Sequence, residues 1–388
     1  MKNPNINILE LSIVMPCLNE EETVAICVEK ALQFLAENDV KGEVIVADNG
    51  SSDNSVEIAK RAGARIIIVN KKGYGSALIA GIEAARAKFI IMADSDNSYD
   101  FLKIMPLLEK MRQGYDLVIG NRFSGEIEPK AMPFLHKYIG NPMLSWVGRL
   151  FFQSKVGDFH CGLRGITKLA FNELNLVASG MEFASEMIVK ATLTKKKIAE
   201  VPIVLHPDGR QGKPHLNSFR DGWRHLRFLL IYSPRWVFFY PGVVLMAIGL
   251  VLSLMIFFFK KDSPDIHTMV YAVAAVLIGF QAVVFAIFSK TFAVHENLIP
   301  LNPIIQRILN KNILEIGIIS GSLMLITGLL LGLFLVISWF NKTFWDMEIT
   351  STMRIAIASF ALIVLGFQII FSSFFYNILL LEVKNGKI

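Results

Sequence analysis

The distribution of apolar residues divides the chain near residue 235. Beyond this point lie four stretches of more than 20 residues that contain no charged side chain. A helix rises about 1.5 Å per residue, so each stretch is long enough to cross a hydrocarbon core about 30 Å thick. We therefore predict a membrane domain over 236–388, with transmembrane helices at 236–259, 268–289, 316–340 and 355–381.

The first 235 residues show a different pattern, in which short apolar runs alternate with segments of helical periodicity. This alternation is typical of an α/β fold with a mostly parallel sheet that is covered by helices on both faces. The predicted strands are 11–15, 44–47, 65–69, 89–93 and 116–119. The predicted helices are 20–36, 53–62, 76–87 and 101–112.

The residues that follow each strand are the first candidates for a site, because ligands of parallel sheets bind beyond the carboxyl ends of the strands. After the fourth predicted strand, the apolar run leads directly into Asp94 and Asp96. Two neighbouring carboxylates in this position are costly unless a cation joins them. Mg²⁺ and Mn²⁺ bind one or two carboxylates together with substrate phosphates. The pattern therefore predicts that Asp94 and Asp96 hold Mg²⁺ or Mn²⁺ on a diphosphate.

The other strand ends carry weaker signals. At the first, Asn19 is placed to cap the next helix and Glu22 to close a capping box, which is a structural interpretation. At the second, Asp48 precedes a turn and could contact a nucleobase or a ribose. Gly75 lies in the Gly-Tyr-Gly-Ser turn at 73–76, whose backbone amides could face a phosphate.

Composition limits the class of protein. Of the 388 residues, 53% are apolar and only 19% are charged, which excludes a disordered chain and argues against a purely soluble enzyme. The three cysteines, Cys17, Cys27 and Cys161, show neither zinc spacing nor a disulfide framework. Residues 1–10 contain no apolar core long enough for a signal peptide.

Basic residues are concentrated just before the first predicted transmembrane helix, where 195–235 holds 9 Lys and Arg against 3 Asp and Glu. Such an excess favours the cytoplasmic side of a membrane and meets anionic lipid. We therefore predict a multi-pass membrane protein of a bacterial or archaeal cell, with its α/β domain and both termini in the cytoplasm. Because the basic excess does not form a separate arm, nucleic-acid binding is not expected.

Two segments, 131–153 and 216–235, mix aromatic, apolar and basic residues in the way that helices in a membrane interface do. Burial against the α/β domain is the alternative for both. The predicted domains are then a cytoplasmic α/β domain over 1–215, a juxtamembrane amphipathic helix over 216–235, and the membrane domain.

Seven motifs, taken in order, resemble those of glycosyltransferase family two, which has the GT-A fold. The closest resemblance is to its polyprenyl-phosphate members, the dolichyl-phosphate mannose and glucose synthases. It covers residues 13–234 and rests on VMPCLNEE at 14–21, DNGSSD at 48–53, GYGSA at 73–77, ADSD at 93–96, GNRF at 120–123, DFHCGLRG at 158–165 and VPI at 201–203.

The resemblance implies an inverting transfer of a hexose from a nucleotide-sugar, with UDP-glucose as the first guess and GDP-mannose as the second. It implies donor contacts from Pro16, Asn19, Glu20, Asp48, Asp94, Arg210 and Lys213, and the turn described above adds Gly75 to the predicted substrate-binding residues. Asp94 and Asp96 would hold the metal, and Arg210 and Lys213 would belong to a mobile loop that closes over the phosphates. The family usually has Ser-Lys where this chain has Pro214-His215.

The implied acceptor is polyprenyl phosphate. Arg122 would face its phosphate, and Asp158 would orient the sugar or act as a weak base. A lipid phosphate is already an anion at neutral pH, so it needs positioning by an arginine more than it needs a strong base. Asp96, Asp158 and Arg122 are therefore the predicted catalytic residues.

Two rival functions remain open. A processive polysaccharide synthase normally has Gln-x-x-Arg-Trp, and here Tyr232 occupies the glutamine position. A non-catalytic membrane protein that only binds nucleotide-sugar is the other. Transporters often place ionisable residues inside spans, and the predicted spans contain none. The spans could serve lipid entry, homo-oligomer contacts or a later transfer step, and no residue decides among these uses.

Overall fold

The computed structural model describes residues 9–210, 218–258, 266–295, 312–341 and 349–380. The chain divides into two compact units, Met1–Tyr232 and Ser233–Ile388. The helix within the predicted juxtamembrane segment belongs to the first unit. Lys213 and the predicted span ends 259 and 381 lie outside the described residues.

The first unit is built on a mixed seven-stranded sheet in the order β3-β2-β1-β4-β6-β5-β7. Only β6 runs antiparallel to its neighbours, which confirms the predicted mostly parallel sheet. The strands are β1 (Leu11–Cys17), β2 (Gly42–Asp48), β3 (Arg65–Ile68), β4 (Phe89–Met92), β5 (Leu117–Ile127), β6 (Arg164–Thr167) and β7 (Ile198–Leu205).

Eight α-helices of the first unit are described: α1 (Val24–Glu37), α2 (Ser55–Arg61), α3 (Tyr74–Ala84), α4 (Met105–Arg112), α5 (Asn141–Phe152), α6 (Lys168–Leu174), α7 (Phe183–Leu193) and α8 (Ser218–Ile231). A short 3₁₀ helix, Phe101–Lys103, precedes α4. A π-helical turn, His136–Gly140, leads directly into α5. Helix α1 shows how sequence sets packing, because its apolar residues recur every three or four positions and form one buried face. That face consists of Val24, Cys27, Val28, Ala31, Phe34 and Leu35.

The predicted start of the first helix is wrong. Helix α1 begins at Val24, and Asn19 lies in the left-handed backbone region at φ 55°. The Asn19 side chain accepts a hydrogen bond from the backbone amide of Ser52, at 2.8 Å, instead of capping α1. The residue before α1 is Thr23, and its side chain makes no capping hydrogen bond. A contact to a distant loop therefore replaces the predicted local cap.

The second unit consists, in its described residues, of a π-helical turn and four long helices: α9 (Tyr240–Phe258), α10 (Ile266–His295), α11 (Ile313–Asn341) and α12 (Ile349–Leu379). Each is long and apolar enough to cross a membrane, as predicted. The second, third and fourth extend beyond their predicted bounds, so Lys290, Glu315 and Arg354 lie inside helices whose predicted spans contained no ionisable residue. Helix α9 packs against α10, and α12 packs against both α10 and α11.

Candidate active site

The sheet order brings the predicted motifs to one edge. Strands β2, β1 and β4 are parallel neighbours, with Cys17 opposite Asp48 and Val14 opposite Met92. Strands β5 and β7 run in the same direction as these three. Strand β6 runs the opposite way, so the loop that precedes it reaches the same edge. The predicted site residues that the structure describes therefore fall into four groups: Pro16, Asp48 and Arg122 lie within strands, Asn19, Glu20, Asp94, Asp96 and Arg210 follow strands, Asp158 precedes β6, and Gly75 lies in α3.

Asp94 and Asp96 lie directly after β4, and each has one oxygen bound within the chain. The Tyr74 hydroxyl donates to Asp94 Oδ1 at 2.8 Å. Asp96 Oδ1 accepts from the backbone amide and the hydroxyl of Ser98, at 3.0 and 2.6 Å. Burial, together with the negative charge of Asp96, raises the pKa of Asp94 to about 7. A nearby cation would relieve this repulsion.

The chemistry around the two carboxylates fits a small divalent cation. Among the described residues, no group of three or more His, Cys, Asp or Glu side chains is arranged to hold a metal. A cation held by Asp94 and Asp96 would therefore take its other ligands from substrate and water, as Mg²⁺ commonly does. Gly162 leaves room beside Asp94 Oδ2, because a Cβ atom there would lie 2.5 Å from this oxygen.

Arg210 places a positive charge beside Asp96 and Glu20. Its guanidinium lies 2.8 Å from Glu20 Oε1 and 3.6 Å from Asp96 Oδ2, and it also pairs with Asp208. Burial raises the pKa of Glu20 to about 7, although Arg210 opposes this shift. The structure thus brings together Glu20, Asp96 and Arg210, which the sequence places far apart.

Two further residues that were predicted to contact the donor, Asp48 and Pro16, lie at the ends of β2 and β1 and bind neighbouring loops. The Asp48 carboxylate accepts from the backbone amides of Gly50, at 3.0 Å, and Ser51, at 3.2 Å. Pro16 is buried in β1, and its carbonyl accepts from the Ser95 hydroxyl at 2.7 Å. Their contacts to a nucleoside stay predictions. The hydrogen bonds show that Asp48 fixes the turn at 50–51 and that Pro16 fixes Ser95, the residue after Asp94.

The turn at 73–76 packs against the chain instead of presenting all its amides to a ligand. The Gly73 amide donates to Asn49 Oδ1 at 2.6 Å, and the Ser76 amide donates to the Ser179 carbonyl at 3.2 Å. A Cβ atom at Gly75 would lie 2.2 Å from the Ala178 carbonyl oxygen, so this position requires glycine. A phosphate contact by Gly75 stays a prediction, and this packing does not favour it.

Arg122 and Asp158 form a buried ion pair. Asp158 is completely buried, and it accepts from Arg122 Nε at 2.7 Å and from Arg122 Nη2 at 2.8 Å. It also accepts from the backbone amides of Arg122 and His160. Burial opposes ionisation, but the charge and hydrogen bonds of Arg122 outweigh it and lower the pKa of Asp158. Both oxygens are already used in holding the Arg122 guanidinium, so this packing favours neither predicted role of Asp158, and its contact with the sugar stays a prediction.

Sequence reasoning gave no role to several residues that build the site. Tyr74 binds Asp94, and its position in the glycine-rich turn was the only available signal. Arg164 is buried and donates to three backbone carbonyls around the Asp158 loop, those of Phe159, Cys161 and Ala184. Arg164 therefore serves the motif at 158–165 by holding the backbone of the loop in place.

We expect Tyr74→Phe to weaken Mn²⁺ binding by about tenfold, because hydrogen-bond partners of metal ligands typically contribute about 10- to 100-fold to affinity. Phenylalanine preserves the ring and removes only the donor to Asp94. Electron paramagnetic resonance titration of free Mn²⁺ would measure this change. Tyr115→Phe is a matched control, because Tyr115 lies beneath Lys110 in a cation–π contact. Equal Mn²⁺ affinity in the Tyr74→Phe variant and the wild type would contradict the assignment.

Comparisons with known proteins identify the family of the chain. Residues 12–174 match the family described as glycosyl transferase family 2, and residues 287–380 match the glycosyltransferase family 2 C-terminal transmembrane region. The chain is similar to the low-salt glycan biosynthesis hexosyltransferase Agl6 of Haloferax volcanii. The two are 37% identical over 369 residues, which covers 94% of this chain and 87% of the relative.

Two further proteins are similar over part of the chain. The dolichyl-phosphate hexose transferase of Haloferax volcanii is 27% identical over 55% of this chain and 89% of its own length. Glucosyl-3-phosphoglycerate synthase from Mycobacterium tuberculosis, solved with Mn²⁺, uridine diphosphate and glucosyl-3-phosphoglycerate, has a TM-score of 0.48 at 20% identity. That match covers 58% of this chain and 80% of the other. From the match to Agl6 and the two family regions, the chain belongs to glycosyltransferase family 2 and is a multi-pass membrane glycosyltransferase.

Proposed function

We propose that this enzyme transfers a hexose from a nucleotide-sugar to polyprenyl phosphate, with inversion at the sugar carbon. The observation that carries the proposal is that two pairs of residues, each suited to hold a phosphate group directly or through a cation, lie at the same edge of the sheet. Asp94 and Asp96 follow β4, and the ion pair joins Arg122 of β5 to Asp158 in the loop that precedes β6. The dolichyl-phosphate hexose transferase named among the relatives supports a lipid-phosphate acceptor.

On the donor side, Asp94 and Asp96 would hold Mg²⁺ or Mn²⁺. When bound, this cation would neutralise the charge that develops on the leaving nucleoside diphosphate. Arg210 contacts Glu20 and lies 3.6 Å from Asp96, so it stands where the diphosphate would need a second positive group. Lys213, outside the described residues, is proposed for the same role.

On the acceptor side, Arg122 would hold the lipid phosphate. Within the described residues its Nε and Nη2 bind Asp158, and no hydrogen bond from Nη1 is found. The Nη1 group is therefore the one proposed to meet a phosphate oxygen. The acceptor oxygen is already anionic, so no proton has to be removed before it attacks the sugar. Asp158 serves by holding the guanidinium in one orientation.

We propose that the first unit meets the membrane interface through α5, α8 and the segment before α5. Large apolar side chains around α5 are exposed: Phe134, Leu135, Tyr138, Ile139, Met143, Trp146 and Leu150. Helix α8 buries His225 and Leu229 on one face and exposes Trp223, Arg224 and Ile231 on the other. Exposed aromatic and basic residues of this kind suit a lipid interface. The cytoplasmic location of this unit is part of the proposal.

The test is a donor panel. Membranes containing the enzyme are incubated with C55 polyprenyl phosphate, Mn²⁺ and one radiolabelled nucleotide-sugar at a time. We expect label in the organic phase with one donor, UDP-glucose first and GDP-mannose second, and mass spectrometry should find one hexose per lipid. A ladder of longer products would instead identify a processive synthase. No lipid-linked label with any donor would refute the proposal.

A further inference from the structure

One oxygen of Glu200 binds the two backbone segments that carry Arg122 and Asp158. Glu200 lies on the edge strand β7. Its Oε1 accepts from the backbone amides of Gly157 and Asp158, at 2.8 and 3.1 Å. The same oxygen accepts from the side-chain amide of Asn121, at 3.0 Å. These three donors come from Asp158 itself and from the residues that directly precede Asp158 and Arg122.

Asn121 extends this contact to the chain on the far side of Arg122. Its side-chain oxygen accepts from the backbone amides of Phe123 and Ser124, both at 2.9 Å. This turn coincides with the irregularity where the pairing of β5 with β7 shifts between Asn121 and Glu126. Bulges of this kind redirect side chains beside active sites. The Glu200–Asn121 contact therefore fixes the bulge that directs Arg122 towards Asp158.

The fit around Glu200 is tight. Gly157 admits no side chain, because a Cβ atom there would lie 2.8 Å from Asn121 Nδ2 and 3.4 Å from Glu200 Oε1. Behind Glu200 is an open cavity of about 260 Å³, which is also lined by Ser154, Lys155 and Thr192. Glu200 thus lies in the wall of a cavity that small solutes can enter.

We infer that Glu200, acting with Asn121, is a positioning residue that sets the Arg122–Asp158 pair for the acceptor phosphate. The inference rests on the proposed function of that pair, and it assigns Glu200 no contact with substrate. Loss of its carboxylate frees three hydrogen-bond donors and lets the two segments shift. A displacement of about 1 Å at a reacting group can cost about 100-fold in rate.

The first test is steady-state kinetics of Glu200→Ala with C55 polyprenyl phosphate. We expect kcat/KM for the acceptor to fall about 100-fold, while the dissociation constant of the nucleotide-sugar changes less than threefold. Glu200→Gln keeps the Oε1 acceptor and should stay within about fivefold of the wild type. The control is Glu126→Ala, an exposed glutamate beyond the same bulge, and it should leave kcat/KM unchanged.

Chemical rescue provides the second test. Because the cavity opens beside Glu200, acetate or formate added to Glu200→Ala should replace the lost acceptor and recover at least tenfold in kcat/KM. Potassium chloride at the same concentration should have no effect. A protein that had merely lost stability would not respond to a small carboxylate in this selective way.

Hydrogen exchange separates this inference from the proposed function. In Glu200→Ala, exchange of the amides of Gly157 and Asp158 should quicken, whatever the acceptor is. If the wild type transfers no sugar to polyprenyl phosphate, both the proposed function and the inference fail. If the wild type is active but Glu200→Ala keeps its acceptor kcat/KM, or these amides exchange at the wild-type rate, only the inference is overturned.

Discussion

Replacing either Asp94 or Asp96 by asparagine is expected to lower sugar transfer about 10²- to 10³-fold, a loss typical of a removed group that stabilises developing charge. Asparagine keeps an oxygen for the hydrogen bond from Tyr74 or from Ser98. Burial and the neighbouring carboxylate already raise the pKa of Asp94 to about 7. Removing its charge should therefore not destabilise the fold. Initial transfer rates and melting temperatures, measured side by side, check both statements.

Asp100 offers the matched control, because it lies in the same loop. Its carboxylate accepts from the Leu102 amide at 3.1 Å and pairs with the exposed Lys103 at 3.6 Å, so Asp100→Asn should keep transfer within about twofold. Chelation with EDTA should abolish activity of the wild type, and added Mn²⁺ should restore it. If Asp94→Asn and Asp96→Asn both retain more than a tenth of the wild-type rate, the metal assignment is wrong.

Strands β1 to β5 were predictable from the sequence, and β6 and β7 were not. Strand β1 is an apolar run buried along its whole length, and such runs identify central parallel strands. Strand β6 has four residues, begins with the charged Arg164 and contains a glycine, so it carries no apolar signal. Strand β7 includes Glu200 and Pro202, and proline is tolerated there because β7 is at the edge.

The site divides in the same way between local and distant interactions. Asp94 and Asp96 could be found because they follow one apolar run and lie two positions apart. The bond from Tyr74 to Asp94 crosses 20 residues, and that from Glu200 to Asp158 crosses 42, so neither leaves a local pattern. The predicted capping role of Asn19 was wrong for a related reason. Its side chain bonds to Ser52, 33 residues away, instead of to the first turn of α1.

The roles of Arg122 and Asp158 came from family resemblance, because no spacing argument joins residues 36 positions apart. The structure shows that the two side chains form a buried, bidentate ion pair. In such a pair each charge is tolerable only while the other is present, since a single buried charge has no compensation. Stability and activity therefore depend on the same two side chains, and an experiment has to separate them.

A double substitution makes this separation. Arg122→Met and Asp158→Leu are each expected to cost about 3–5 kcal/mol of unfolding free energy, because each leaves its buried partner uncompensated. The combined variant replaces the pair by apolar side chains and should recover most of that loss. Activity should fall at least about 10³-fold in all three variants, because none retains an oriented guanidinium for the acceptor. Denaturant unfolding and transfer assays give the two readouts.

The exposed pair Arg112–Glu10 is the control for this cycle. Its side chains are 42% and 33% exposed, so Arg112→Met should cost below about 1 kcal/mol and leave transfer unchanged. If the double variant recovered both stability and transfer, Arg122 would be a structural residue and the acceptor phosphate would bind elsewhere. If stability returned without activity, the ion pair would matter for chemistry beyond its part in folding, because the folded protein would then lack only the charge that the acceptor needs.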